Sequence, residues 1–311
     1  MTGIGRESVI GHPGEEHWAS KGEVDLFLWR KRSAPNAPVI VFVHGSSMSG
    51  VPTFDLQVPG RADTSAMDWF ANRGFDTWCI DMEGYGRSGK KRPINFDIAN
   101  GADDIEVAVE KIVAVTGQQS ILLYGVSSGS LRAAVYTQRC PHRVARLALD
   151  AFVWTGKNSR TLEQRRTRIS EYLATNRRPI SKEFIESIFT RDHPGCAHDD
   201  VVEALADAVI SLDESVPTGS YVDMCTRLPL VDPLRIPCPT LVMRGEYDGI
   251  AAEQDIIQFF KLLPTPGKEL VFMPGIAHAS FQEKNYAIAY HSLLSFFARP
   301  NPIFPEAGKS S

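Results

Sequence analysis

The sequence predicts an α/β fold built on a mostly parallel sheet, and two features of its hydrophobic pattern carry that prediction. Short apolar runs bounded by turn residues alternate with helical patterns along most of the 311 residues. The alternation stops between about residues 154 and 230, where only helical stretches are expected. Strands alternating with helices imply right-handed crossovers and a sheet buried on both faces. The interruption predicts a helical lid over the carboxyl edge of the sheet, where open α/β sheets bind ligands.

Each element follows from its local pattern. Residues 23–30 alternate between polar and apolar side chains and predict an early antiparallel edge strand. Buried strands are predicted at residues 38–43, 75–81, 121–124, 145–150, 240–244 and 269–272. Helices are predicted at residues 65–72, 99–115 and 130–139, and within the lid at residues 161–175, 181–190 and 199–211. We therefore expect a core formed by residues 1–153 and 231–311, interrupted by a lid at residues 154–230.

Composition and charge narrow the class of partner. A hydrophobic share of 43% supports a substantial core, and 23% charged residues suits a soluble surface. Proteins that bind nucleic acid usually carry a concentrated basic face, and the mild net charge of −4 gives no electrostatic reason to expect such a partner. No segment approaches the ~20 apolar residues of a membrane span, so no membrane partner is expected either. The sequence does not indicate an oligomeric state.

The number and spacing of the cysteines indicate the redox compartment in which we expect the protein. The five cysteines are scattered and form no C-x-x-C pair, which argues against a disulfide framework or a cysteine-based zinc site. Residues 1–20 contain no apolar stretch typical of an export signal. We therefore expect a reduced, cytoplasmic protein.

A candidate nucleophile lies in the run Gly125-Val126-Ser127-Ser128-Gly129, which matches the pattern G-x-S-x-G. The motif is short and weak by itself. Here it directly follows a predicted strand and precedes a predicted helix. The two glycines leave room for a sharp strand-to-helix turn that holds Ser127 in a strained conformation with its hydroxyl exposed.

A serine nucleophile needs a base and a group that orients the base. His278 follows the last predicted strand and is the candidate base. Asp248 directly follows the strand before it and is the candidate orienting acid, which would fix the imidazole tautomer. Glu246 is a rival on spacing, and Asp150, at the end of an earlier strand, is another plausible acid.

Two backbone N–H groups are expected to stabilise the oxyanion of a reacting carbonyl. One belongs to Ser128, directly after the nucleophile. The other lies in the loop His44-Gly45-Ser46-Ser47, and we assign it to Ser46. Gly45 would let this backbone approach the substrate closely. The identity of the second donor stays open at this point.

Together these segments resemble the α/β-hydrolase superfamily. The resemblance rests on residues 44–45, 125–129, 245–248 and 275–278, and on the run Asp81-Met82-Glu83-Gly84-Tyr85-Gly86-Arg87-Ser88. It spans about residues 24–298 apart from the lid. Membership implies a catalytic triad of Ser127, Asp248 and His278, which follow one another in that family's chain order, and neither a metal nor another cofactor. It gives residues 81–88 a structural role only. It does not fix the reaction, since this fold hosts many chemistries.

The serine at the strand-to-helix turn narrows the class of reaction. Dehalogenases and epoxide hydrolases of this superfamily have Asp where this chain has Ser127, so they are disfavoured. The loop at residues 44–47 lacks a His-Gly-Gly-Gly run, which argues against the hormone-sensitive-lipase-like branch. Esters, thioesters, lactones, amides, peptides and certain C–C bonds remain. A lid and the short Ser46 side chain suit a small or medium acyl group.

The predicted lid offers one further indication of substrate. Between residues 157 and 182 there are eight Lys or Arg residues and two acidic residues. Such a stretch is typically a solvated helix face, but in an acidic protein it could also clamp an anionic substrate. The candidate substrate contacts are Ser47, Trp154, Arg165 and Arg166. Our hypothesis is hydrolysis of a carboxylic ester that carries a free carboxylate, in resemblance to bacterial alkyl-phthalate monoester hydrolases.

Two alternatives stay open. Hydrolysis of a C–C bond in an aromatic ring-cleavage product would use the same triad on an anionic substrate. Some members of this fold instead act as receptors or binding modules, although every member of the triad is available here.

Overall fold

A computed structural model describes residues 9–300 of the chain. Residues 1–8 and 301–311 of the predicted core lie outside this range. The described strands are β1 (Glu15–Lys21), β2 (Val24–Arg32), β3 (Val39–Val43), β4 (Asp76–Ile80), β5 (Ile121–Val126), β6 (Val144–Asp150), β7 (Arg177–Pro179), β8 (Ser215–Pro217), β9 (Thr240–Gly245) and β10 (Lys268–Met273).

The described helices fall between these strands. They are α1 (Gly50–Phe54), α2 (Ala66–Ala71), α3 (Ile98–Thr116), α4 (Ser128–Arg139), α5 (Arg160–Arg166), α6 (Ile169–Leu173), α7 (Lys182–Thr190), α8 (Asp199–Ile210), α9 (Gly219–Thr226), α10 (Glu253–Leu262) and α11 (Tyr286–Phe297), with short 3₁₀ turns at Pro141–Arg143 and Pro233–Arg235.

Eight strands form one twisted sheet in the order β1-β2-β4-β3-β5-β6-β9-β10. β2 pairs antiparallel with both β1 and β4, and every pairing from β4 to β10 is parallel. The carboxyl ends of β3, β5, β6, β9 and β10 therefore meet at one edge. The loops that follow these strands bring their polar residues together there.

The sheet is buried on both faces. Along β3, Val39, Val41 and Val43 belong to one apolar cluster, whereas Ile40 and Phe42 belong to the other. This alternation follows from the two-residue period of a strand, which sends successive side chains to opposite faces. The first cluster includes apolar residues of α3 and α4, and the second includes those of α2 and α11. Both faces are thus covered by helices, as a parallel sheet requires.

Residues 154–230, here called the inserted segment, contain the elements α5 to α9, β7 and β8. α7 packs against α8, and α9 packs against α5 and α6. The segment is joined to the loop after β4 by polar contacts: the Gly86 N–H donates to Asp213 (2.8 Å), and the Arg177 guanidinium donates to the Gly84 carbonyl (2.8 Å). These bonds fix the segment's strands against the core.

The predicted strands all occur, with ends shifted by at most two residues, but the edge of the sheet was wrongly assigned. Residues 24–30 of the predicted strand fall in β2, which is the second strand of the sheet, and the edge strand is β1. β1 has the sequence Glu-Glu-His-Trp-Ala-Ser-Lys, and Ala19 is its only buried residue. A strand with little apolar surface to bury leaves no clear period in the sequence.

The inserted segment also differs from the prediction, which expected helices alone. β7 and β8 pair antiparallel as a small second sheet, and three-residue strands are too short to show a period. The helix predicted at residues 161–175 is two helices, α5 and α6. Between them the Thr167 hydroxyl donates to the Gln164 carbonyl (2.7 Å), a bond that competes with the backbone ladder.

Across residues 9–300, no helix combines the length and apolar character needed to cross a bilayer.

Candidate active site

Ser127 lies at the junction of β5 and α4 with φ 57° and ψ −123°, a region that side-chain-bearing residues rarely adopt. Gly129 permits this turn, because a Cβ there would lie 2.3 Å from the Val43 carbonyl oxygen. A Cβ on Gly125 would lie 2.5 Å from the Gly129 oxygen. The helix can therefore start against β3 only with glycine at both positions. This geometry projects Ser127 from the carboxyl edge of the sheet.

Ser127, His278 and Asp248 form a chain of hydrogen bonds. The Ser127 hydroxyl oxygen lies 3.1 Å from His278 Nε2, and His278 Nδ1 lies 3.0 Å from Asp248 Oδ1. A carboxylate at Nδ1 favours the tautomer with its proton there, which leaves Nε2 free to accept the serine proton. The sequence placed these residues in three loops between 127 and 278, and the structure brings them together.

Asp248 is held as a carboxylate. Burial acts to raise its pKa, but His278 and the N–H groups of Ile250 (2.8 Å) and Ala251 (3.2 Å) outweigh burial and hold it below its ordinary value. The Arg244 guanidinium donates to the carbonyls of Asp248 (3.2 Å) and Ala251 (2.7 Å) and fixes this loop. The negative charge is therefore available to stabilise an imidazolium.

The two rival acids are engaged elsewhere. Asp150 accepts hydrogen bonds from the Tyr124 hydroxyl (2.7 Å) and the Ser280 hydroxyl. Burial raises the pKa of Asp150 to about 6, against the effect of these two donors. Glu246 accepts from the Gly275 N–H (2.9 Å). Asp248 is thus the carboxylate that the structure places on His278.

The His278 loop is anchored by a residue that sequence reasoning missed. The buried Glu283 carboxylate accepts from the N–H groups of Ala277 (2.5 Å) and Ala279 (3.0 Å), one on each side of His278. Burial raises the pKa of Glu283, although these two donors oppose the rise. Only the short spacing from His278 could have marked this residue in the sequence.

The predicted oxyanion donors lie beside Ser127. Ser128 is the first residue of α4, where a backbone N–H has no intrahelical acceptor and carries the positive end of the helix dipole. The Ser46 hydroxyl donates to the Ser128 hydroxyl (2.7 Å), so the two donor residues adjoin. A Cβ on Gly45 would lie 3.4 Å from the Ser127 Cβ, which shows how closely this loop passes the nucleophile.

His44, at the start of that loop, is buried and neutral. Burial, and to a lesser extent Arg132, lower its pKa to about 3. His44 Nε2 accepts from the Met82 N–H (3.0 Å), which leaves Nδ1 to donate to the Gly45 carbonyl (2.7 Å). His44 therefore ties the loop to residue 82 and is not a second base.

A cavity opens over Ser127. Its walls include core residues and four residues of the inserted segment. The lining residues are Gly45, Ser46, Ser47, Met48, Thr53, Phe54, Tyr124, Val126, Ser127, Arg165, Ile188, Arg191, Tyr221, His278, Ala279, Ser280, Phe281 and Gln282. The inserted segment thus closes one side of the space in front of the nucleophile.

Two of the four predicted substrate contacts reach this cavity, namely Ser47 and Arg165. The other two, Trp154 and Arg166, are not among the residues that line it. The Trp154 indole donates to the Val231 carbonyl (2.9 Å), and Arg166 donates to the Cys225 carbonyl (3.2 Å). Adjacent residues on a helix point in different directions, so the sequence could not separate Arg165 from Arg166.

Two further lining residues, Arg191 and Tyr221, were missed because they lie outside the basic stretch. Arg191 pairs with Asp192 (2.9 Å), whereas within residues 9–300 no carboxylate pairs with Arg165, whose guanidinium lies 4.0 Å from the centre of the Tyr221 ring. Burial alone would raise the pKa of the Tyr221 phenol. Arg165, Arg178, a hydrogen bond with Ser47 and Arg191 together lower it to about 8. This wall of the cavity is therefore electropositive.

In the described part of the chain, no three His, Cys, Asp or Glu side chains are grouped so as to hold a metal ion.

The geometry predicts unequal roles for the two buried aspartates. Asp248→Asn should slow labelling of Ser127 by a fluorophosphonate by about 10⁴-fold, because an amide favours the wrong imidazole tautomer. Asp150→Asn keeps the acceptor for Tyr124 and Ser280 and should change the rate far less. Labelling rates of the two variants and of the parent protein check this. A larger loss in Asp150→Asn would transfer the orienting role to Asp150.

Comparison with known proteins agrees with this architecture. The family model described as serine aminopeptidase, S33, matches residues 34–285. A hydrolase from Pseudomonas aeruginosa superposes with a TM-score of 0.70 at 20% identity, covering 91% of this chain and 98% of the other. An esterase from Thermogutta terrifontis gives 0.66 at 18% identity, with 91% and 98% covered. E-2-(acetamidomethylene)succinate hydrolase gives 0.68 at 17% identity, with 92% and 100% covered.

At these identities the superpositions establish the fold, and they confirm the predicted α/β-hydrolase architecture. The family match spans most of the sequence. The chain therefore belongs to the serine aminopeptidase, S33, family of α/β-hydrolases.

Proposed function

We propose that the protein hydrolyses a carboxylic ester of small or medium size through an acyl-enzyme on Ser127. The Ser127 oxygen attacks the ester carbonyl while His278 Nε2 takes its proton. Asp248 stabilises the imidazolium that forms. His278 then gives the proton to the departing alkoxide, and the acyl group stays on Ser127.

Deacylation repeats these steps with water as the nucleophile. His278 removes a proton from the water, which attacks the acyl carbonyl, and then returns a proton to Ser127 as the acid leaves. In both tetrahedral intermediates the oxyanion receives hydrogen bonds from the N–H groups of Ser46 and Ser128. No metal or other cofactor takes part in this mechanism.

The single observation that carries this proposal is the continuous hydrogen-bonded chain from Ser127 to Asp248. Its two contacts measure 3.1 and 3.0 Å, within reach of proton transfer. A binding module has no need of a nucleophile held at positive φ with a base and an oriented carboxylate behind it. Maintaining such strain is typical of a reactive site.

We further propose that the ester carries a free carboxylate, as a monoalkyl phthalate does. Arg165 supports this, because its guanidinium faces the same cavity as Ser127 and no carboxylate among the described residues neutralises it. Burial lowers the pKa of Arg165. Tyr221 opposes this effect, whereas the neighbouring Arg191 and Arg178 add to it. A bound carboxylate would relieve this repulsion and form a charge-assisted hydrogen bond. Arg166 does not share in this role.

The reaction class is tested with a covalent probe and a substrate panel. We expect the wild-type protein to be labelled by a fluorophosphonate and Ser127→Ala to be unlabelled, because the hydroxyl is the attacked group. In the panel, a monoalkyl phthalate should be hydrolysed faster than its dialkyl ester and than p-nitrophenyl butyrate. Product release by liquid chromatography measures this preference.

Other outcomes would redirect the proposal. Equal labelling of both proteins, or none, would support a binding module. Turnover of a coloured ring-cleavage dienoate without turnover of esters would establish C–C hydrolysis. Turnover of an aminoacyl p-nitroanilide alone would establish a peptidase, in line with the family's description. Equal hydrolysis of the anionic ester and the neutral esters would contradict the proposal that the substrate carries a free carboxylate.

The adjacent residues Arg165 and Arg166 provide a matched test of whether the substrate's carboxylate binds to Arg165. Arg165→Met should raise KM for the monoalkyl phthalate about 10- to 100-fold, since a hydrogen bond to a charged group is worth about 1.5–3 kcal/mol. Arg166→Met removes the same charge outside the cavity and should leave KM unchanged. Steady-state kinetics on the monoester and on p-nitrophenyl butyrate separate the two. Equal effects of both variants would contradict the assignment.

Tyr221 predicts how substrate binding depends on pH. Below its pKa of about 8 the phenol is neutral and the surrounding guanidinium charges are unbalanced. Above that pH the phenolate offsets one positive charge, so KM for an anionic ester should rise about tenfold. KM for a neutral ester should stay level, and Tyr221→Phe should abolish the rise. A rise that persists in Tyr221→Phe would assign it to another group.

A further inference from the structure

Arg178 is a buried arginine that the mechanism above does not use. It is the middle residue of β7, in the inserted segment, and only 8% of it is exposed. Its guanidinium lies 4.2 Å from the centre of the Tyr221 ring and 4.8 Å from that of Phe184. Removing a guanidinium from water costs free energy, so its contacts must offset that cost.

Those contacts end on the oxyanion loop. Arg178 Nη2 donates to the Ser47 hydroxyl (2.9 Å) and to the Ser46 carbonyl (3.3 Å). The Tyr85 hydroxyl donates to the same carbonyl (3.2 Å). Residues 46 and 47 are thus held from one side by the core and from the other by the inserted segment.

A salt bridge does not explain the burial of Arg178. Within residues 9–300 its hydrogen bonds go to neutral oxygens, and its buried Nε has no hydrogen-bond partner. Nor does Arg178 line the cavity over Ser127, unlike Arg165 and Arg191. It therefore stands behind the loop, where it touches the backbone that carries the oxyanion donor and not the substrate.

We propose that Arg178 is a positioning residue that fixes the oxyanion loop from the inserted segment. Its bond to the Ser46 carbonyl restrains the peptide that joins Ser46 to Ser47, and its bond to the Ser47 hydroxyl restrains the next residue. These two bonds would thereby fix where the Ser46 N–H lies relative to the Ser128 N–H and the nucleophile. Small displacements of such donors are costly, because an oxyanion hole works by preorganisation. This inference rests on the proposed acyl-enzyme mechanism.

The neighbouring Arg177 supplies a matched control. Consecutive residues of a strand point to opposite sides, and Arg177 donates to the Gly84 carbonyl (2.8 Å) and to the Ser215 hydroxyl (3.0 Å). It thus ties the same strand to the core but does not touch residues 46 and 47. If the two arginines only anchor the inserted segment to the core, substituting either one should lower activity alike. If Arg178 positions the oxyanion loop, only substitution of Arg178 should lower activity strongly.

The experiment compares Arg178→Met with Arg177→Met on the neutral ester p-nitrophenyl butyrate. This ester carries no carboxylate, so effects on an anion-binding wall do not enter. We expect Arg178→Met to lower kcat about 10- to 100-fold with KM unchanged, since the donors act mainly in the transition state. Arg177→Met should lower kcat less than about threefold.

A second readout reports on the oxyanion directly. A butyl trifluoromethyl ketone adds to the Ser127 oxygen and places a negatively charged oxygen where the donors converge. Its inhibition constant should rise in proportion to the fall in kcat for Arg178→Met, while the constant for butyramide, a neutral ligand that forms no oxyanion, stays unchanged. A role in stability alone would not produce this pairing. Equal losses in both variants, or a loss confined to KM, would overturn the proposal.

Two further measurements test the proposal if Arg178→Met does not fold or if the protein hydrolyses no ester. If Arg178→Met does not fold, as judged by thermal melting, Tyr85→Phe removes the other donor to the Ser46 carbonyl and should lower kcat about threefold or more. An unchanged kcat there would overturn the proposal. If the wild-type protein hydrolyses no ester, the proposed function fails, and fluorophosphonate labelling rates still test Arg178. Labelling that is equally fast in wild type and Arg178→Met would overturn the positioning role.

Discussion

The backbone of Ser127 is held at a positive φ, and the site depends on that constraint. The strain persists because α4 starts in direct contact with β3, an approach that Gly125 and Gly129 alone allow. The same turn sets three features at once. It exposes the serine hydroxyl, starts α4 directly after the nucleophile, and puts both at the edge of the sheet where the loops bearing Asp248 and His278 begin. One local conformation thus organises residues that lie far apart in the chain.

The inserted segment adds a second level of organisation. The core supplies the hydrogen-bonded chain, and the segment supplies the electropositive wall formed by Arg165, Arg191 and Tyr221. Arg178, on the same segment, contacts the loop that carries Ser46. Under the proposed function, the catalytic residues and the anion-binding wall would therefore lie on different parts of the chain. They would not be independent, because the inserted segment also contacts the loop that would stabilise the oxyanion.

The features that could be predicted from the sequence are those whose residue pattern has a single physical cause. Buried strands such as β3 and β5 were identified because a parallel sheet requires continuous apolar runs, and the glycines around Ser127 specify the turn. β1 was missed because an exposed edge strand buries little. Arg165 and Arg166 could not be separated, nor could Arg177 and Arg178, because composition says nothing about which way a side chain faces. That information enters only with the tertiary structure.

The central claim, that Ser127 carries the acyl group during turnover, is tested most directly by trapping that intermediate. Wild-type protein mixed with p-nitrophenyl butyrate and quenched in acid within milliseconds would be analysed by intact-mass and peptide-mass spectrometry. The account predicts a butyryl mass increment confined to the peptide that contains Ser127, formed with a burst of p-nitrophenol and absent from Ser127→Ala. Hydrolysis at the same rate by Ser127→Ala, or a butyryl group on another residue, would contradict it.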